Sequence, residues 1–385
     1  MAINIFHTVL RMVPPGLDML SHWISERCVS IELNHSVKER LKLIDGGYNG
    51  SRKEFRRRVL SYWKKYGVRP QKRWFDLYCC GMDSYDPRFI TDPIWVLKIR
   101  PYFNKDSFRD AYADKCMFSR ILPEVKKPET IVKNIAGYYY NGDGEQLISF
   151  EKAVSVCEQE SHLIIKPSGM SKGDGILFYD KGKTDTAFIR DSFLSIGRDF
   201  VVQRIVKQHI DLAKLNETSL NSVRVISFHF KDEIMILSAQ LRIGGTGSRV
   251  DNVSAGGCAV AINPDGSLFE KSVTRKSNWT DTAPNGMKFK DIKVPNYQGI
   301  IDTVRMLHKK LPYFNIVGWD FAVGEDGTPI MVEYNVRPGQ NQIGCGAPTF
   351  GAMTEEVLNE VFCKKAGPHF TRTFHEKLKE WRQRQ

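Results

Sequence analysis

The stretch IVGWDFAVGEDGTPIMVEYNVRPG (316–339) places Asp320, Glu333 and Asn335 inside two apolar runs that flank the polar turn GEDG. Carboxylates on strands that build a core are costly unless something pairs with them. A turn of even loop length over 324–327 puts residues whose numbers sum to an odd value on one face. Asp320 and Glu333 then share a face as a diagonal pair, and Asn335, two residues beyond Glu333, lies on it too. Two carboxylates and an amide oxygen suit a hard cation that prefers oxygen and brings phosphates with it, namely Mg²⁺. The competing reading is a strand face turned to solvent, and the apolar flanks weigh against it.

Four further stretches carry groups suited to phosphate or carboxylate chemistry. In LIIKPSGMSKGDGILFY (163–179), Lys166 ends an apolar strand, and Gly169, Gly173 and Gly175 punctuate the loop around Ser171. Glycines let backbone N–H groups approach phosphate oxygens, and the lysine adds positive charge beside them. This is no Walker loop, because the G-x-x-x-x-G-K-[ST] pattern is missing and a strand follows; a plain glycine-rich turn fits the loop equally well. In DFVVQRIVKQH (199–209), an apolar strand runs into Gln203, Arg204 and Val206, either a hinge whose backbone reads an adenine edge or a simple strand end. LNSVRVIS sets Arg224 at a strand start. In QLRIGGTGSRVDNVSAGG, Arg242, Arg249 and Asn252 stand among five glycines. Cationic forks and exposed amides there suit an oxyanion or a carboxylate, and a surface loop is the alternative.

The elements that must position these groups change character along the chain. Residues 1–100 read as helical: VKERLKLIDGGYNG as a helix ending at Gly46-Gly47, and SRKEFRRRVLSYWKKYGVRP as a Ser-capped helix with Phe55, Val59, Leu60 and Trp63 inward and a stop at Gly67. DSFRDAYADKCMFSRILPEV extends the helical pattern, and Pro128 starts an extended segment. FEKAVSVCEQ and NYQGIIDTVRMLHKKLP read as helices. HLIIKPSG, DGILFYDKG, DFVVQRIV, SVRVISFHF, EIMILSAQLRIG and GCAVAINPDGSL read as strands. Strands segregated from helices predict an α+β architecture. The boundaries follow as a helical basic region at 1–100, a lead-in at 101–150, a small subdomain with the glycine flap at 151–206, a large subdomain with the metal site at 207–363, and a basic helical tail at 364–385.

The chain has 385 residues and a formal charge of +12, unevenly placed. Residues 51–100 hold thirteen Lys/Arg against five Asp/Glu, and residues 364–385 hold seven against two. No helix-turn-helix, RRM or KH pattern accompanies the charge, so specific nucleic-acid binding is not expected. A solvated basic face competes with a surface for anionic lipid or a polyanionic acceptor. No apolar run is long enough to span a membrane, although MAINIFHTVLRMVPPGLDML can form an amphipathic helix against the protein body or a membrane surface. The same segment does not read as a signal peptide. Eight cysteines without a C-x-x-C pair argue against zinc and predict reduced thiols in a cytoplasmic protein.

The order of these motifs resembles the ATP-grasp superfamily over about 115–345. WDFAVGEDGTPIMVEYNVRPG is similar to the magnesium-binding end of its ligases, and DKCMFSRILPEVKKPET to the segment in which a lysine, here Lys115, reaches the nucleotide. VLSYWKKYGVRP, the QH at 208–209 and VDNVSAGG most resemble the sugar-transfer-associated group, related to α-L-glutamate ligases. The resemblance implies an ATP-grasp fold of two α+β subdomains that grip ATP. Lys115 and Lys166 would meet its phosphates, with Ser171 and Gly173 in a flap, and Gln203, Arg204 and Val206 would hold adenine. Asp320, Glu333 and Asn335 would carry one or two Mg²⁺, and Arg242, Arg249 and Asn252 would stabilise the reacting acyl group. It further implies a carboxylate–amine ligase working through an acyl phosphate on amino-acid and sugar-type substrates of a surface polysaccharide. An anionic polysaccharide or lipid-linked acceptor would meet the basic N-terminal region at the inner face of a membrane. A kinase on the same site and a non-catalytic nucleotide-binding module are the alternatives. The superfamily usually precedes this core with a Rossmann-like domain, and residues 1–100 show no βαβ pattern.

Overall fold

The computed structural model describes residues 15–42, 48, 50–169, 175–185, 187–249, 257–274 and 279–363. They divide into two compact units, Lys105–Cys345 and Met1–Asn104 with Gly346–Gln385. The helix Thr354–Cys363 thus groups with the N-terminal residues, not with the 207–363 segment assigned from sequence.

The larger unit carries two antiparallel sheets. The first contains β1 (Thr130–Ile135), β2 (Tyr138–Asn141), β3 (His162–Pro167), β4 (Leu177–Asp180) and β5 (Phe200–Arg204), in the order β2-β1-β5-β3-β4. One face packs on the helices Phe150–Glu158 and Phe188–Ile196 through Val132, Leu163, Ile165, Phe193, Phe200 and Val202. Side chains alternate along a strand, so Lys133, Lys166, Val201 and Gln203 share the opposite face. Sequence reading saw only an extended start near Pro128. The β1–β2 hairpin escaped it because YYYN lacks a clear apolar–polar alternation.

The second sheet contains β6 (Ser222–Phe230), β7 (Glu233–Ile243), β8 (Cys258–Ile262), β9 (Leu268–Thr274), β10 (Trp279–Thr280), β11 (Ile316–Val323) and β12 (Pro329–Asn335), in the order β10-β9-β8-β7-β6-β11-β12. Its core face meets the helix Tyr297–His308, whose Ile300, Val304 and Leu307 fall at helical spacing. Trp319 is fully buried there, and its Nε1 donates to Ser227 Oγ at 2.7 Å. His308 Nδ1 lies 2.7 Å from the same hydroxyl, and burial pushes its pKa down to about 4, so a neutral ring completes the network.

Residues 105–125 do not form the single helical stretch expected. They make short turns, Asp106–Phe108, Arg109–Tyr112, Lys115–Met117 and Phe118–Ile121. Asp114 breaks the run in an extended conformation, and its side chain accepts from the Cys116 N–H at 2.9 Å. A local cap here outcompetes helix continuation.

The other unit is helical among its described residues. Pro15–Lys42 is a 28-residue helix. Residues 52–64 form a continuous helix with a π turn at Arg56–Leu60, capped by Ser51, whose side chain accepts from the Glu54 N–H at 3.0 Å. The chain leaves it through Gly67 at φ +67°, a conformation suited to glycine. Trp63, Trp74, Phe75, Phe89 and Trp95 fill the interior. Tyr102 donates to Glu360 at 2.9 Å, and Lys65 pairs with Glu355, which ties the helix Thr354–Cys363 into this unit.

Candidate functional site

The β11–β12 hairpin brings Asp320, Glu333 and Asn335 to one face, but by a different geometry from the one expected. Val323 pairs with Pro329, so five residues close the turn, and Gly324 and Thr328 share a hydrogen bond across it. An odd loop alone would have put Glu333 on the face opposite Asp320. A bulge restores it: Phe321 pairs with Met331 and Asp320 with Glu333, leaving Val332 as the extra residue. The two carboxylates are therefore direct cross-strand neighbours, not a diagonal pair.

β6 and β7 add two arginines to this face. Asp320 pairs in the ladder with Arg224, and Arg224 with Gln240, two residues before Arg242. Arg224 grips Asp320 through two nitrogens, Nε on Oδ1 and a terminal nitrogen on Oδ2 at 2.6 Å, while Arg242 reaches Oδ1 at 3.3 Å. Asp320 is only 7% exposed. Its burial pushes the carboxyl pKa up, but the charges of Arg224 and then Arg242 outweigh that and hold it below the usual range. The face is tightly packed at Gly318, where a Cβ would come within 3.0 Å of Pro338 and 3.3 Å of Ile226.

The facing lysines come from the other sheet and the segment before it. Lys115 Nζ stands 3.7 Å from Glu333 Oε1 and donates to the Ser168 carbonyl at 3.3 Å. Lys166 donates to Gln203 Oε1 at 3.1 Å, and Gln203 passes its own amide hydrogen to Thr130 Oγ1 at 3.2 Å. One cavity is lined by Lys115, Lys166 and Gln203 together with Lys127, Lys133 and Met331. Sequence reading missed Lys127 and Lys133. Burial pushes both of their pKa values down, and both heads are held by the protein: Lys133 by Ser119 Oγ at 2.8 Å, Lys127 by the Val125 carbonyl at 2.8 Å. Lys133 follows three β-branched residues in TIVKNI, and a lysine so placed was the signal available.

Arg204, expected in a hinge whose backbone reads adenine, and Arg249, expected at the reacting acyl group, both have their side chains in ion pairs. The Arg204 guanidinium is held at the exposed flank by Glu160 at 2.7 Å and by Glu129, so its side chain does not reach the cavity lining. Arg249 pairs with Asp180 at 2.6 Å and lies over the Phe178 ring, 4.1 Å from its centre, which joins the segment after β7 to β4. Opposite charge and an aromatic face draw it there. Val206 lies half-buried just past β5. Ser171, Gly173, Asn252 and the basic tail 364–385 fall outside the described residues.

The donor set fits a hard cation. Among the described residues, Asp320 Oδ2 accepts one of the two hydrogen bonds it can take, Glu333 keeps its lysine at 3.7 Å, and Asn335 Oδ1 accepts the Arg337 N–H, at 2.7 Å. Among the described residues no three His, Cys, Asp or Glu side chains gather as a metal cluster, so the amide oxygen is needed to complete the set.

Two antiparallel α+β layers with facing lysine and carboxylate surfaces define an ATP-grasp fold. The chain belongs to the sugar-transfer associated ATP-grasp family, which it matches over residues 98–352. No curated relative matches the chain. Solved structures with a similar fold include an L-amino acid ligase from Bacillus licheniformis, at 12% identity over 68% of this chain and 48% of that one, with a TM-score of 0.35. The VanG D-Ala:D-Ser ligase from Enterococcus faecalis shares 14% identity over 64% and 61% of the two chains, with a TM-score of 0.37. A biotin carboxylase from Campylobacter jejuni shares 10% identity over 66% and 47%, with a TM-score of 0.41. The chain spans about half the length of the first solved structures it matches. Among the described residues no helix is long and apolar enough to cross a membrane.

Proposed function

We propose that the protein is an ATP-dependent carboxylate–amine ligase that forms an amide through an acyl phosphate. The observation that carries this reading is the Arg224–Asp320–Arg242 group beside Glu333 and Asn335, with Lys115 within 3.7 Å of Glu333. Lys115 and Lys166 bind the nucleotide phosphates, and Gln203 orients Lys166. Glu333 and Asn335, with the open lone pair of Asp320, would hold Mg²⁺, which spreads the charge of a transferring phosphoryl group.

A substrate carboxylate oxygen bonds to the γ-phosphorus of ATP as the bond to the ADP oxygen breaks. An amine then attacks the acyl carbon, phosphate leaves, and the nitrogen gives up a proton. Arg242 is the group to meet the oxyanion, because Asp320 holds its guanidinium on the site face. Arg224 is a positioning residue that fixes Asp320. The substrates we propose are an amino acid and an amine-bearing sugar, following the sugar-transfer association of the family.

The test is a screen of amino acids and amino sugars for substrate-stimulated release of ADP and free phosphate, with mass spectrometry of the product. An amide formed with one phosphate per ADP supports the ligase. A stable phosphoester overturns it in favour of a kinase, and ATP binding without turnover overturns it in favour of a binding module.

A further inference from the structure

The helical unit contains an open cavity of about 950 Å³. The helix Pro15–Lys42 contributes His35 and Lys38, the start of the 52–64 helix contributes Arg52, and the helix Lys72–Tyr78 contributes Lys72, Arg73 and Asp76. Four permanent cations thus surround one carboxylate. That carboxylate is already committed: Asp76 accepts from Lys72 Nζ at 2.8 Å and from the Tyr85 hydroxyl. Lys38, Arg52 and Arg73 have no ion-pair partner among the described residues, and all three are exposed. Like charges brought together without counter-charge repel, so the arrangement is stabilised by an anion that enters it.

The walls are built, not incidental. Trp74 Nε1 donates to Asn34 Oδ1 at 2.8 Å and pins the Lys72–Tyr78 helix to the Pro15–Lys42 helix beneath the cavity. Gly50 forms part of the lining, and a Cβ there would come within 2.4 Å of Tyr48 and 2.6 Å of Tyr85, so the backbone must pack that closely.

We propose that this cavity is a binding site for a ligand bearing a phosphate or diphosphate group. Two guanidinium forks from different helices match phosphate oxygens two at a time, and Lys38 adds a compact charge beside them. The cavity admits a group of headgroup size, which separates the proposal from a flat basic surface. The site is independent of the ligase reading and uses none of its residues.

The probes are inorganic pyrophosphate, followed by calorimetry at low ionic strength, and phosphatidylcholine vesicles doped with phosphatidic acid, followed by co-sedimentation. Both are applied to the full chain, to the triple variant Lys38→Gln/Arg52→Gln/Arg73→Gln, and to Lys166→Met. Binding in this cavity weakens by about tenfold or more in the triple variant and is retained in Lys166→Met. ATP binding shows the opposite pattern. Pyrophosphate binding with this pattern identifies a soluble phosphorylated ligand, and vesicle binding with this pattern alone identifies a lipid headgroup; either supports the site. If neither probe distinguishes the triple variant from the wild-type chain, the proposal is overturned. Equal melting temperatures check that the triple variant is folded, and Arg73→Gln alone carries the comparison if it melts lower.

Discussion

Arg224 on β6 and Asp320 on β11 stand opposite each other in the strand ladder, and one guanidinium takes both oxygens of the carboxylate. Both side chains are largely shielded from water, 18% and 10% exposed, so the pair is desolvated as well as close. Removing one partner of such a pair strands the other charge. Arg224→Ala is expected to destabilise the larger unit by about 3–5 kcal/mol, read as a shift in urea midpoint, with Arg224→Lys in between.

The same pair gives a pH dependence of defined sign. The Asp320 carboxyl is held below its ordinary range in the folded protein, so the folded state binds its proton less readily than the unfolded state. Its contribution is complete above the unfolded value of about 4 and is lost as pH falls through the lower folded value. The stability gap between the wild-type protein and Asp320→Asn should therefore be constant from pH 7 to near 5 and narrow below about 4. A gap that stayed unchanged across the acid range would contradict the ion-pair account.

Glu333 is the carboxylate whose nearest cation, Lys115, stands off at 3.7 Å and whose side chain is 35% exposed. Glu333→Gln should raise the Mg²⁺ concentration needed for half-maximal ATP turnover by roughly 10- to 100-fold, since losing even an outer partner of a metal ligand costs that much. Circular dichroism should stay unchanged. Metal dependence that did not move would remove Glu333 from the proposed metal set.

Arg249 ties the segment after β7 to Asp180 and Phe178 and does not touch Asp320. Arg249→Ala should raise KM for ATP and speed proteolysis of this segment, with kcat lowered less than threefold or so and stability by under about 1 kcal/mol, as for an exposed pair. Arg242→Ala should instead depress kcat by roughly 100-fold or more, as expected for a group that meets developing charge. A collapse of kcat in Arg249→Ala would restore Arg249 to the chemistry.

Some of the site was legible because its signal is local. Asp320, Glu333 and Asn335 stand out as polar residues in apolar strands, and two-residue periodicity is enough to ask whether they share a face. The shared face was reached through two departures from the assumed hairpin that cancel, a five-residue turn and the bulge at Val332. Lys115 and Lys166 were singled out by motif order, but nothing local to Lys166 reveals that Gln203 holds it, because β3 and β5 pair across 37 residues. Arg204 and Arg249 were singled out by position in the chain, and nothing local to either reveals that Glu160 and Asp180, distant in sequence, pair with their side chains.

Propensity and periodicity over a few residues were enough for the α+β class and the helical basic N-terminal region. The two lysines needed the order of motifs along the chain, and the hairpin face needed a turn that the chain does not make. The clamp on Asp320 by Arg224, 96 residues away, and by Arg242 exists only once the sheet is assembled. That outcome follows from strand order: β6 lies between β7 and β11, so arginines from two strands converge on one carboxylate. Sheet pairing over such distances is set by how whole faces bury together, and no short stretch of chain contains that information.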